Sequence, residues 1–80
     1  MEKPLILEQV ELIFKDVLDN DEIVLNLETT TQDIDEWDSL SHIQLVIAIE
    51  KKFKIKFTSS EMLTWKNVGE IVNSISEKLN

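Results

Sequence analysis

Apolar residues recur at helical intervals in three stretches of the chain. Ile6, Val10, Ile13, Phe14 and Val17 fall at steps of three and four and make one stripe, with Glu8, Glu11 and Lys15 off it. The spacing predicts a first helix from about Pro4 to Leu18, where proline suits the opening turn because the N–H it lacks would have no partner there. Leu40, Ile43 and Ile47, with Leu45, Ile49 and Phe53 on a neighbouring face, predict a second helix from about Ser39 to Phe53. Asp38 stands where an N-cap belongs, and Lys51 and Lys52 complement the helix dipole in the last turn. Val68, Ile71, Val72, Ile75 and Leu79 mark a last helix running to about Lys78. Before it, Thr58-Ser59-Ser60-Glu61 has capping-box spacing and opens a short third helix carrying Met62 and Leu63; Asn67-Val68-Gly69-Glu70 repeats the pattern with Asn as cap.

The rest is connection. Asp19-Asn20-Asp21 ends the first helix. Ile23, Leu25 and Leu27 then alternate, but a lone strand has nothing to pair with, so the segment reads as an extended loop pinned by apolar anchors. Thr29-Thr30-Thr31 is turn-prone, and Ile34 and Trp37 tuck back against the core. A loop this long in a small domain is functional or ordered by packing. Lys54-Ile55-Lys56-Phe57 alternates too briefly to make a strand. The pattern predicts an all-α fold, a small four-helix bundle of three long helices and one short third helix, with a long loop between the first two.

Composition agrees with this outline. The 80 residues, read as one domain over 1–80, include one glycine, one proline and no cysteine, which disfavours a turn-rich β fold and excludes disulfides and thiolate metal sites. No apolar run reaches membrane-spanning length, and the apolar start Leu5-Ile6-Leu7 is broken by Glu8 and Glu11 too soon for a signal peptide, so a cytoplasmic protein that does not insert in membranes is expected. Charge is lopsided. Residues 1–40 hold 12 acids and 2 lysines, whereas residues 41–80 hold 4 acids and 6 lysines, for a total of −8. Such a surface lacks the basic footprint that nucleic acid requires. It favours solubility and encounters with basic proteins.

The chemistry concentrates where the second helix begins. Asp38 as N-cap puts Ser39 in the first turn, where backbone N–H groups point outward and the dipole favours negative charge. A phosphate on that hydroxyl would be well held. Asp38-Ser39-Leu40, in a small acidic helical chain, resembles the phosphopantetheine attachment site of acyl carrier proteins. The order of elements, Glu50-x-x-Phe53 and Trp65-x-x-Val68-Gly69 extend the resemblance over most of the chain. It implies a carrier without catalytic residues of its own. A phosphopantetheinyl transferase would move 4′-phosphopantetheine from coenzyme A onto Ser39, and acyl-loading ligases or synthases would place groups on the arm's thiol as thioesters. The resemblance assigns Asp38 to the surface the transferase reads and leaves Leu40 partly exposed.

It also places partner docking on the second helix, at Leu40, Ile43, Gln44, Ile47 and Glu50, with His42 on the same face. Gln44 and Lys51 stand where many fatty-acid carriers have acids, so only Glu50 keeps its charge, while acids crowd just ahead at Asp33, Asp35, Glu36 and Asp38. That departure implies a specialised monomeric carrier outside bulk fatty-acid synthesis, in a lipid or secondary-metabolite pathway. Glu36-Trp37 replaces a stretch in which many relatives have glycine, which stiffens the approach to Ser39; Trp37 takes a core role there. Trp65 stands where a smaller aliphatic residue is usual, narrowing any cavity in favour of short, polar or aromatic cargo. Two other readings stay open: an aminoacyl or peptidyl carrier loaded by a ligase, and an unmodified helical interaction module docking through Ile43 and Ile47.

Rival sites are poorly supported. His42 is the single histidine, so a transition-metal site lacks ligands, and a Ser39–His42 pair lacks a third member and oxyanion donors. Asp19-x-Asp21 fails as a calcium loop because Val24 stands where glycine is needed and Thr30 where glutamate is.

Overall fold

The first helix, α1 (Lys3–Val17), is built around Ile6, Val10 and Phe14, three residues spaced four apart and fully buried. The computed structural model describes residues 2–79. Pro4 lies in the first turn of α1, and the chain leaves the helix through Asp19, whose left-handed backbone (φ 52°) a short polar side chain tolerates. Three further helices follow: α2 (Ser39–Phe53), α3 (Ser59–Leu63) and α4 (Val68–Leu79), with one 3₁₀ turn at Thr31–Asp33 and no strand among the described residues. The all-α, four-helix expectation holds, including the shortness of α3.

α1 packs against both α2 and α4. Leu45, Ile49 and Phe53 of α2 and Val68, Ile71, Val72 and Ile75 of α4 close one core around the α1 stripe. Burying each such side chain contributes about 1.5–3 kcal/mol, which is how a chain this short offsets its chain entropy.

The long loop is ordered by that core and by α4. Ile23, Leu25, Ile34 and Trp37 are buried. The Leu25 N–H donates to Glu11 Oε2 at 2.9 Å, tying the loop to α1. Two loop carbonyls then cap α4: the Val68 N–H donates to the Thr29 oxygen at 2.9 Å and the Gly69 N–H to the Leu27 oxygen at 2.8 Å. These bonds satisfy donors that the first turn of a helix leaves unpaired. They also explain the single glycine, because a Cβ at position 69 would lie 2.7 Å from the Leu27 carbonyl oxygen. Leu27 corrects one expectation. Its side chain is exposed and anchors nothing; its backbone does the pinning instead.

α3 begins with the expected capping box, in which the Glu61 N–H donates to Thr58 Oγ1 and the Thr58 N–H to Glu61 Oε1. Glu61 also pairs with Lys78 of α4 at 3.0 Å. The α4 box is displaced by one residue: the Glu70 N–H donates to Asn67 Oδ1, but the Glu70 carboxylate accepts from the Lys66 N–H, one position ahead of the cap.

Candidate functional site at the tip of α2

Asp38 caps α2 as its position requires. Its extended backbone (φ −121°, ψ −171°) lets Oδ1 accept the Ser41 N–H at 2.9 Å, while the Asp38 N–H donates to Ser41 Oγ at 2.8 Å. The Ser41 hydroxyl donates in turn to the Glu36 carbonyl at 2.8 Å, fastening the tip to the incoming loop. The N–H and hydroxyl of Ser41 hold the Asp38 carboxyl below its usual range, so it is ionised at neutral pH. Ser41 was not singled out from the sequence, although a hydroxyl three residues after a cap is a readable box signal.

This division of labour frees Ser39. Ser39 is the first residue of α2, is exposed, and stands outside the capping network that occupies Asp38 and Ser41. Leu40 beside it is 69 % exposed.

The tip is anchored from below by aromatic side chains. Trp37 is buried and meets Phe14 of α1 edge-on, with ring centroids 4.9 Å apart. Its indole N–H donates to His42 Nδ1 at 3.1 Å. His42 stacks on Trp37 at 6.0 Å and meets the edge of Trp65 at 5.9 Å, and Trp65 packs on Phe57 at 4.8 Å and donates to Ser74 Oγ at 2.9 Å. Trp37, His42 and Trp65 wall a cleft of about 460 Å³ whose lining also includes Ser39, Thr31 and Ile71. His42 therefore does not belong to the docking face on which the sequence placed it. A buried indole N–H needs an acceptor, and His42 supplies one by turning inward. Burial lowers the pKa of its ring below the ordinary 6.5, keeping it neutral.

The remaining residues assigned to docking divide in two. Ile43, Gln44 and Ile47 are exposed along α2 with Leu40. Glu50 is half-buried, and its Oε2 accepts the Phe57 N–H at 2.8 Å, so it also holds the connection into α3. Leu63 of α3 is likewise exposed, at 86 %.

The residues at the tip fit a phosphopantetheine group. Ser39 offers an exposed, uncommitted hydroxyl, and the Ser39 and Leu40 N–H groups of the first turn have no partner within the helix. The cleft beside them is lined by Trp37, Trp65 and Ile71 together with the polar Thr31, Lys66 and Asn67. A helical bundle that displays a serine in this way has the form of a phosphopantetheine-bearing carrier.

Comparison with known proteins agrees. Residues 8–75 match the family model "Phosphopantetheine attachment site". An acyl carrier protein from Petrotoga mobilis is 35 % identical over 80 residues, covering 100 % of this chain and 94 % of its own. The solution structure of a holo acyl carrier protein from Geobacter metallireducens superposes with a TM-score of 0.87 at 45 % identity, covering 91 % of this chain and 84 % of the other. The chain belongs to the acyl carrier protein family, and 4′-phosphopantetheine is its prosthetic group.

Proposed function

We propose that Ser39 is the residue that carries the arm, and that residues 1–80 work as one carrier domain that does no chemistry itself. The observation that carries this reading is the exposed Ser39 hydroxyl at the first position of α2, released from capping by Asp38 and Ser41. Once attached, the arm supplies a thiol, which this cysteine-free chain lacks. The chain's own residues display and orient it. The Asp38–Ser41 box fixes the tip, Trp37 ties the tip to α1, and the first-turn N–H groups that the cap leaves unpaired would favour a phosphate on Ser39. Coenzyme A and a phosphopantetheinyl transferase are the loading partners, in the cytoplasm.

Acyl-loading ligases or synthases dock on Leu40, Ile43, Gln44 and Ile47, with Glu50 at the margin. The surface supports a specialised pathway. The exposed apolar residues of α2 run from an acidic approach, Asp33 to Asp38, toward Lys51, Lys52, Lys54 and Lys56, all exposed. Charge of this polarity selects and orients partners more than it raises affinity. A partner suited to a uniformly acidic helix would meet repulsion at the lysine end.

Intact mass after incubation with coenzyme A and a promiscuous transferase tests the first claim. The wild type gains the mass of one phosphopantetheine and Ser39→Ala gains none; a Ser39→Ala protein that still loads would refute it. The specialised-pathway reading fails if housekeeping fatty-acid synthases turn the holo protein over as well as their own carrier.

A further inference from the structure

A second cleft, of about 440 Å³, lies at the far end of α2 from Ser39, lined by Ile47, Glu50, Lys51, Lys54, Ile55 and Lys56. At about 1.5 Å per residue, the 15 residues of α2 set its two ends roughly 22 Å apart. The one acid of the lining is turned to the backbone, since Glu50 Oε2 accepts the Phe57 N–H at 2.8 Å. The lysines have no such engagement. The ion pairs among the described residues are Lys15–Glu11 and Lys78–Glu61, and neither involves Lys51, Lys54 or Lys56. Lys51 complements the dipole at the end of α2, but Lys54 and Lys56 lie beyond its last turn. Lys54 also holds a left-handed backbone (φ 58°) that glycine would adopt more easily. Stability does not account for a lysine there, and strain kept at one residue points to function.

The lining selects its occupant. Three ammonium groups without counter-ions call for carboxylates, and Ile47, exposed, with Ile55, half-buried, calls for an apolar side chain among them. Nucleic acid and anionic membranes present extended negative surfaces, which would also meet a chain holding 16 acids against 8 lysines. A protein segment can be anionic over a few residues only. Resting on the reading of α2 as the docking helix, we propose that this cleft receives an acidic segment of a partner enzyme, with its carboxylates on Lys51, Lys54 and Lys56 and one apolar side chain against Ile47 and Ile55. The partner is thereby oriented along α2: its acidic segment belongs at the lysine end, and its basic surface, if it has one, at the Asp33–Asp38 end.

Nitrogen-15 NMR of the apo protein tests this, by titration with a short synthetic peptide in which glutamates flank one leucine. The expected result is a saturable shift of the Ile47, Lys51, Lys54, Ile55 and Lys56 amides that leaves Ser39 and His42 unmoved. The same peptide with glutamines for glutamates binds about tenfold more weakly, as the loss of three exposed ion pairs implies. Combining Lys51→Gln, Lys54→Gln and Lys56→Gln weakens the glutamate peptide by a similar factor and erases the difference between the two peptides. The proposal is overturned if the amides do not shift, if the shifts fall elsewhere, or if the two peptides bind alike. It is also overturned if a short single-stranded oligonucleotide binds these residues more tightly, or if the same amides shift with protein concentration alone, which assigns the face to a second copy. Should the triple variant fail to fold, the comparison of the two peptides on the wild type still decides. A protein carrying Leu40→Ala and Ile43→Ala that the transferase loads at the wild-type rate counts instead against α2 as the docking helix and leaves the peptide result standing.

Discussion

At its first turn α2 is fixed by side chains, and at its last by backbone bonds around a left-handed residue. The Ser39 end combines a reciprocal Asp38–Ser41 box, a bond from Ser41 to the Glu36 carbonyl, and a buried Trp37 locked between Phe14 and His42. The far end stops at Lys54, a long side chain held in the left-handed conformation at φ 58°, where glycine is the usual choice. The Ile55 N–H and the Glu50 carboxylate then carry the chain toward α3. One end of the helix is optimised for position, and the other tolerates strain. That difference is what a carrier requires if its reactive tether must emerge from a fixed point while the connection to α3 does not need the same rigidity.

Truncating the anchor gives the largest effect. Trp37→Ala removes a buried indole and leaves His42 without its donor, costing about 3–5 kcal/mol, which denaturant unfolding of the apo protein will read. A comparable loss on shortening Ile55 at the far end, which is only partly buried, would erase the contrast. Next comes Gly69→Ala. Alanine is the better helix former, yet its Cβ would press on the Leu27 carbonyl that caps α4, so the substitution destabilises by about 1–3 kcal/mol instead of stabilising. At the strained end, Lys54→Gly should raise stability by about 1 kcal/mol. The same unfolding assay checks both.

The smallest effect is a pH dependence to which the Ser39 end contributes two groups. Burial lowers the pKa of His42 below 6.5, so its contribution to stability is intact above that value and declines as the pH falls toward the folded-state pKa. The Asp38 carboxyl lies below its ordinary 3.8, so its contribution persists above 3.8 and disappears as the pH falls through the folded-state value. Urea midpoints measured against pH should therefore show two declines. His42→Phe removes the upper one, and Asp38→Ala shrinks the lower one, to which Glu61 of α3 also contributes because the Thr58 N–H and Lys78 hold its carboxyl below the usual range.

Much of this was legible in the residue pattern. The bounds of α2, its Asp38 cap, the capping box of α3 and the inward face of α4 follow from local periodicity and capping chemistry, which need no tertiary knowledge. The exposure of Leu40 came from the family resemblance instead, because its spacing alone fits a core position. What pattern misread depends on contacts between distant segments. Leu27 looked like an anchor because alternation reports side chains, while the bond that matters is made by its carbonyl to Gly69. His42 shares a face with the docking positions in the residue pattern because it borders the stripe of α2, and the need of Trp37 for an acceptor turns its Nδ1 inward. Glu50 looked like a free charge until the chain beyond α2 folded back to place the Phe57 N–H against it.

Ser39 and Ser41 lie two residues apart at the same helix tip, and the account rests on their different fates: one displayed, the other consumed by the cap. Fragmentation of the enzymatically loaded protein, with the phosphopantetheine located residue by residue, tests this directly. All of the added mass should be found on Ser39. Its appearance on Ser41, or on any of Ser59, Ser60, Ser74 and Ser76, would contradict the account.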